Sequence, residues 1–354
     1  MDETIKKVAK TKSTSTKKKE VDGTIKMKDI PPSPEVMEQP KYAKIRSIDE
    51  ANDLLVAWSS ENKEMTDFPD YVLDSLMKNE SIFGNANEYH NLACEFARKS
   101  LYRHAEMVAE LGVLRYKFDI DLLSDIVRFA SQSQNWEQAK KAHNRLNTID
   151  YKKWTWRAFT FVIDYLLDSM ESTDVDEKAI IREVMQLISE YKKKLDERAW
   201  VAEADLHLKN GERSEAIVAL KDGVEKVPVA PQCCTKLSDM LLEDGMYEEV
   251  IKYTAIGIRA TAQEQPSSSN GYLFYASALA KDAMIHKEEL EYSNKSSSYS
   301  DKGFKNKTAV NSALLDYQIA KQLLQGRPIY LANIMQREII LESKSGENRA
   351  EKRF

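Results

Sequence analysis

A chain of 354 residues with 42% hydrophobic residues can bury a substantial core, as two compact domains or as one elongated array. Only 11 Gly and 9 Pro, set among long stretches rich in Ala, Leu, Glu and Lys, exclude a fold of many short strands and tight hairpins, so the class is all-α. The net charge of -5 is uneven, because residues 1–28 carry nine Lys against Asp2, Glu3, Glu20 and Asp22, leaving the rest about ten charges negative. A body of that sign repels a phosphate backbone, which disfavours nucleic-acid binding except through the basic segment.

Residues 1–41 combine lysines, Ser/Thr and the string PPSPEVMEQP, a composition that buries too little apolar surface to offset chain ordering, so a disordered tail is expected. Its Lys17–Lys19 run reads as a solvated tail or as a basic docking element. The first residues have no apolar core of a secretory signal and no Arg typical of a transit peptide, and the longest apolar run, AFTFVI at 158–163, is far short of a membrane span. A soluble, cytoplasmic protein without membrane contact is expected, and the sequence does not exclude the nucleus.

A helical lead-in occupies 42–85: Ser47 and Glu50 have capping-box spacing ahead of an apolar stripe of Leu54, Leu55 and Trp58, and a short helix follows around Tyr71–Met77. Six helical hairpins are then expected at 86–119, 120–153, 154–196, 197–230, 231–264 and 271–327, the last interrupted by a polar insertion at about 284–307. A capping helix at 328–343 and a flexible end at 344–354 complete the chain.

The hairpins rest on a 34-residue offset. GERSEAIVALKDGVEKVP at 211–228 and GMYEEVIKYTAIGIRATA at 245–262 align Gly211 with Gly245, Ala216 with Val250 and Gly223 with Gly257. Ala105 and Ala139 stand at the same offset, preceded by the aromatics Tyr102 and Trp136 as Val250 is by Tyr247. Small residues, here also Ala93, Gly112 and Ala204, let antiparallel helices approach closely, while Gly211 suits a turn and Pro228 stops a helix.

From Trp200 to Pro228 the chain resembles a tetratricopeptide repeat (TPR): Trp200, Ala204 and His207 stand at the family's Trp, Gly and Tyr positions, and Ala216, Leu220 and Pro228 at its Ala, Phe and Pro. Glu203 departs from the usual Leu and His207 from the usual Tyr. The resemblance implies a right-handed α-solenoid that binds a protein or peptide partner along the first helix of each pair. On that face it places His90, Asn91, Cys94 and Arg98, then Ser124, Asp125 and Arg128, then Val201, Asp205 and Lys209, then Thr235, Lys236 and Asp239. The family's chaperone-tail adaptors use a Lys and an Asn where this chain has His90 and Cys94, which argues against that specialised role.

No phosphate loop, serine elbow or Cys-x-x-Cys spacing is present, and the five histidines are isolated in sequence, so no catalytic, cofactor or metal site is expected. His207 reads as a packed histidine, and Cys233 and Cys234 as apolar filler rather than activated thiols. Trp154 and Trp156 cannot both face one core; either one lies on a binding surface or the two touch successive hairpins. The expected function is a non-enzymatic interaction scaffold or adaptor, the alternatives being an RNA-binding helical repeat or a peptide-responsive regulator, with self-association left open.

Overall fold

A computed structural model describes residues 42, 44–61, 67–79, 81–170, 176–262, 268–295 and 307–345. The tail expected at 1–41 and the final residues 346–354 lie outside the described residues. The chain divides after Lys44, and the helices make up the unit Ile45–Phe354.

Fifteen α-helices and no strand are found among the described residues. They are α1 (Ile48–Glu61), α2 (Phe68–Lys78), α3 (Ala86–Arg98), α4 (Tyr102–Arg115), α5 (Ile120–Gln132), α6 (Trp136–Leu146), α7 (Trp156–Ser169) and α8 (Glu177–Lys192). There follow α9 (Arg198–Lys209), α10 (Arg213–Lys226), α11 (Pro231–Glu243), α12 (Tyr247–Ala260), α13 (Ser268–Lys295), α14 (Lys307–Leu323) and α15 (Pro328–Ser345). Odd-numbered helices pack on the even-numbered helix that follows, from α1 on α2 to α13 on α14, and α15 covers α14. The odd-numbered helices also touch one another in series, α1 to α3 and onward to α13, so the pairs stack into an α-solenoid.

Sequence explains the boundaries locally. Ser47 Oγ accepts the Glu50 N–H at 3.1 Å, while the Glu50 carboxylate takes the Arg46 N–H rather than closing the box on Ser47. Pro69 and Pro231 occupy the first turns of α2 and α11, where a missing N–H is harmless. The polar insertion expected from 284 is corrected over its first part: α13 continues through Lys295, because HKEELEYSNK is rich in helix formers, and residues 296–306 lie outside the described residues.

Four of the turns inside the pairs share one geometry. Ser100, Gln134, Gly211 and Gly245 take positive φ of 62°, 63°, 77° and 71°. In each, the next residue donates its N–H to the carbonyl five positions back: Leu101 to Phe96, Asn135 to Ala130, Glu212 to His207, Met246 to Leu241. Glycine makes this left-handed stop cheaply in the later pairs, whereas Ser100 and Gln134 hold it with a side chain attached.

Glycines in the even-numbered helices set how closely the pairs stack. A Cβ at Gly223 would lie 2.8 Å from the Trp200 Cβ on α9 and 2.9 Å from the Cys233 sulfur on α11. At Gly257 it would lie 2.9 Å from the Cys234 Cβ on α11 and 2.8 Å from Leu273 on α13; at Gly112, 3.0 Å from the Tyr89 Cβ on α3 and 2.9 Å from Leu122 on α5. The helices α4, α10 and α12 are thus wedged between their own first helix and the next one, and at these glycines a side chain fits only if a neighbour shifts. The repeat positions Ala93, Ala105, Ala139, Ala204 and Ala216 are fully buried, as small residues at helix contacts should be.

Two alanine substitutions separate backbone from packing. Gly211→Ala meets no atom within 4 Å but must keep a positive φ, and is expected to cost about 1–2 kcal/mol. Gly223→Ala has an ordinary helical backbone but a blocked Cβ, and is expected to cost about 1–3 kcal/mol. Gln134→Gly should stabilise by about 0.5 kcal/mol, the left-handed strain relieved less the entropy of glycine. Urea unfolding of the three variants gives the signs.

Candidate partner-binding groove

The odd-numbered helices present one continuous face, and its middle is hollow. A cavity of about 580 Å³ is lined by Arg128, Ser131 and Gln132 of α5, by Phe161, Asp164, Tyr165, Leu167 and Asp168 of α7, and by Asp205, Leu208 and Lys209 of α9. A second hollow of about 820 Å³ lies off this row, between α8, α9 and α10, and is floored by Ile181, Met185 and Trp200.

Three of the residues expected on this face, Arg128, Asp205 and Lys209, line the cavity. The Arg128 guanidinium lies 4.8 Å from the Phe161 ring centre, and Lys209 donates to the Leu167 carbonyl at 3.1 Å. Asp205 pairs with Lys236 of α11. Asn91 and Asp239 are exposed, and Arg98, also exposed, pairs with Glu95. His90 and Asp125 are different: they are 8% and 0% exposed and bonded to each other, Nδ1 to Oδ2, at 2.5 Å.

Phe161, Asp164, Tyr165 and Asp168 were not foreseen. The hairpin expected at 154–196 has a weak repeat signature, and its first helix has no clear register in sequence. The available signal was Phe159, which stands four residues before Ile163 as Trp200 stands four before Ala204 and is likewise fully buried. In that register Asp164 falls in the same position as Cys94, Arg128, Asp205 and Asp239.

Asp164 is open to solvent yet deep in the concavity, and it forms no ion pair among the described residues. Desolvation by the cavity walls, with the negative field of Asp168 and Asp205, pushes its carboxyl up to about 6, against a weaker opposing pull from Arg128 and Lys236. This carboxylate therefore titrates just below neutrality.

The remaining candidates divide between core and surface. Trp154 is 1% exposed and donates its indole N–H to the Ile149 carbonyl at 3.2 Å, while Trp156 is 41% exposed under the Arg198 guanidinium at 4.1 Å. His207 is half-buried and bonded to Glu212 at 2.7 Å. Cys233 and Cys234 are buried, and burial raises both thiols, Cys234 to about 12, so neither is an activated nucleophile. Each histidine lies beside a carboxylate, but one trio alone among the described residues can offer three ligand atoms to a metal: His90, Cys94 and Asp125, whose atoms lie within 4.8 Å of one another. No helix among the described residues is long and apolar enough to cross a membrane.

The 34-residue spacing, the shared turns and the stacked pairs define a TPR-like helical-repeat fold. No family model and no curated protein matches the chain. Among solved structures, a monomeric IFIT1 mutant with Gppp-AAAA is similar at 11% identity over 88% of this chain and 69% of that one, with a TM-score of 0.41. The human IFIT1 dimer with m7Gppp-AAAA is similar at 10% identity, over 87% and 69%, with a TM-score of 0.39. The TPR2AB domain of yeast Sti1, in its pHSP90 complex, is similar at 12% identity, over 85% and 98%, with a TM-score of 0.28.

The buried His90 and Asp125 tie α3 to α5. Asp125→Ala removes the hydrogen bond that holds the His90 imidazole up at about 10 and leaves a buried ring without that partner, so it is expected to cost about 1–3 kcal/mol in denaturant unfolding. Asn91→Ala, one residue away and exposed, should be near neutral.

Proposed function

We propose that this chain is a non-enzymatic interaction scaffold that seats an extended peptide segment along the odd-numbered helices, with a Lys or Arg side chain of the partner against Asp164. The observation that carries the reading is the cavity at the centre of that face, whose floor holds an accessible carboxylate with no ion pair among the described residues. Around it the other charges are engaged: Asp205 with Lys236, and Arg128 over Phe161. Such a surface is ordered before the partner arrives, so binding loses less side-chain entropy. Its aromatic and arginine groups are the types that anchor interfaces. The three aspartates make a poor site for a phosphate backbone, which weighs against an RNA partner.

A library of short fluorescent peptides, measured by anisotropy against the full chain, tests this. Selected peptides should carry Lys or Arg, and Asp164→Lys should weaken them about tenfold or more, while Val218→Ser on exposed α10 should leave them unchanged. Retention of peptide by the Asp164→Lys protein, or tight RNA binding with no peptide selected, would sink the proposal.

The pH dependence has a defined sign. Because the carboxyl is raised to about 6, the ionised form that attracts a cation is scarce at pH 5 and nearly complete at pH 7.5. Peptide affinity should therefore rise about tenfold across that interval. A flat profile would place Asp164 outside the binding contact.

A further inference from the structure

His90 and Cys94 are four residues apart on α3, one turn along the same face, and Asp125 is supplied by the neighbouring α5. The Cys94 sulfur lies 3.6 Å from His90 Nε2 and 3.9 Å from Nδ1. Two ligands of a tetrahedral zinc ion, one thiolate and one imidazole nitrogen, stand about 3.6 Å apart, so the Cys94 sulfur and the Nδ1 that faces Asp125 need to close by only a few tenths of an ångström. Asp125 Oδ2 is engaged by His90, but Asp125 Oδ1, on a side chain with no exposed surface, has no hydrogen-bond partner in the structure. A buried carboxylate oxygen left without a donor is costly, and a cation is one way of satisfying it.

We propose that His90, Cys94 and Asp125 form a binding site for a zinc-class divalent cation that joins α3 to α5. The donor set fits that class: a thiol, an imidazole and a carboxylate suit zinc and its neighbours in the first transition row, whereas magnesium and calcium take oxygen ligands. The cation takes the place of the hydrogen bond between His90 Nδ1 and Asp125: the imidazole nitrogen and the carboxylate, its unpartnered Oδ1 included, turn to the ion and move apart to admit it, and the Cys94 thiol proton and the proton shared by His90 and Asp125 leave to solvent. Cys94 is half-buried, so the ion is reached from the surface and keeps a fourth position for water or another donor. The charges facing the trio are Asp121 on α5 and Arg157 on α7, which pair with each other at 3.5 Å and so leave little net charge to oppose a cation. The site is separate from the cavity and does not depend on the peptide reading.

The test uses the full chain stripped with a chelator and titrated with Co2+, then Zn2+. The expected result is one cobalt per chain with a thiolate-to-cobalt absorption band that Zn2+ abolishes. Cys94→Ser should lose the band while keeping its helical circular dichroism, and a Cys233→Ala/Cys234→Ala double variant should keep it. A second measurement needs no variant: Zn2+ should protect Cys94 of the native chain from alkylation, read by mass spectrometry. Absence of the band from the folded native chain, its survival in Cys94→Ser, or equal alkylation of Cys94 with and without Zn2+ would overturn the assignment.

Discussion

The closeness with which α4, α10 and α12 enter the crevices between odd-numbered helices is the constraint on which the structure depends. At Gly112, Gly223 and Gly257 a single added carbon would lie within about 3 Å of side chains on both flanking helices. Close approach there fixes the spacing of the odd-numbered helices, and that spacing fixes the face they share. The stack is thus assembled from contacts between sequence neighbours, as expected of a one-dimensional array.

The face that results is electrically self-contained over most of its length. Arg98 and Lys99 engage Glu95, Lys236 engages Asp205, and Arg128 lies over an aromatic ring. A partly exposed pair such as Lys236–Asp205 contributes little to stability, but it holds long side chains in defined places. Asp164 sits where the walls of three helices converge, and there burial and the neighbouring Asp168 and Asp205 outweigh the pull of Arg128 and Lys236. A surface can recognise a partner through a charge that its own folding leaves without an ion pair, and Asp164 is such a charge among the described residues.

Much of the fold was legible because its signals are local and recur: Gly211 and Gly245 mark turns, Ala105 and Ala139 mark contacts, and Trp200 with Ala204 sets the register. The same turn at Ser100 and Gln134 could not be read, since neither residue type announces a positive φ. The candidate site was legible where a clear register existed, which gave Arg128, Asp205 and Lys209. It failed at α7, where the signature is weak and Phe159 replaces the usual Trp. The meeting of His90, Cys94 and Asp125 was hidden for another reason. His90 and Cys94 share a helical face in sequence, but Asp125 lies more than thirty residues further on and joins them only through the packing of α3 on α5.

The shared turn has a kinetic consequence. In an array whose contacts are local, folding can begin at any pair and spread to its neighbours. The pairs α9/α10 and α11/α12 reverse direction at glycine, whereas α3/α4 and α5/α6 must force Ser100 and Gln134 into a conformation that ordinary residues resist. Closing the glycine turns therefore costs less on the way to the folded array than closing those at Ser100 and Gln134, and the pairs carrying His90 and Asp125 rely more on packing against their neighbours.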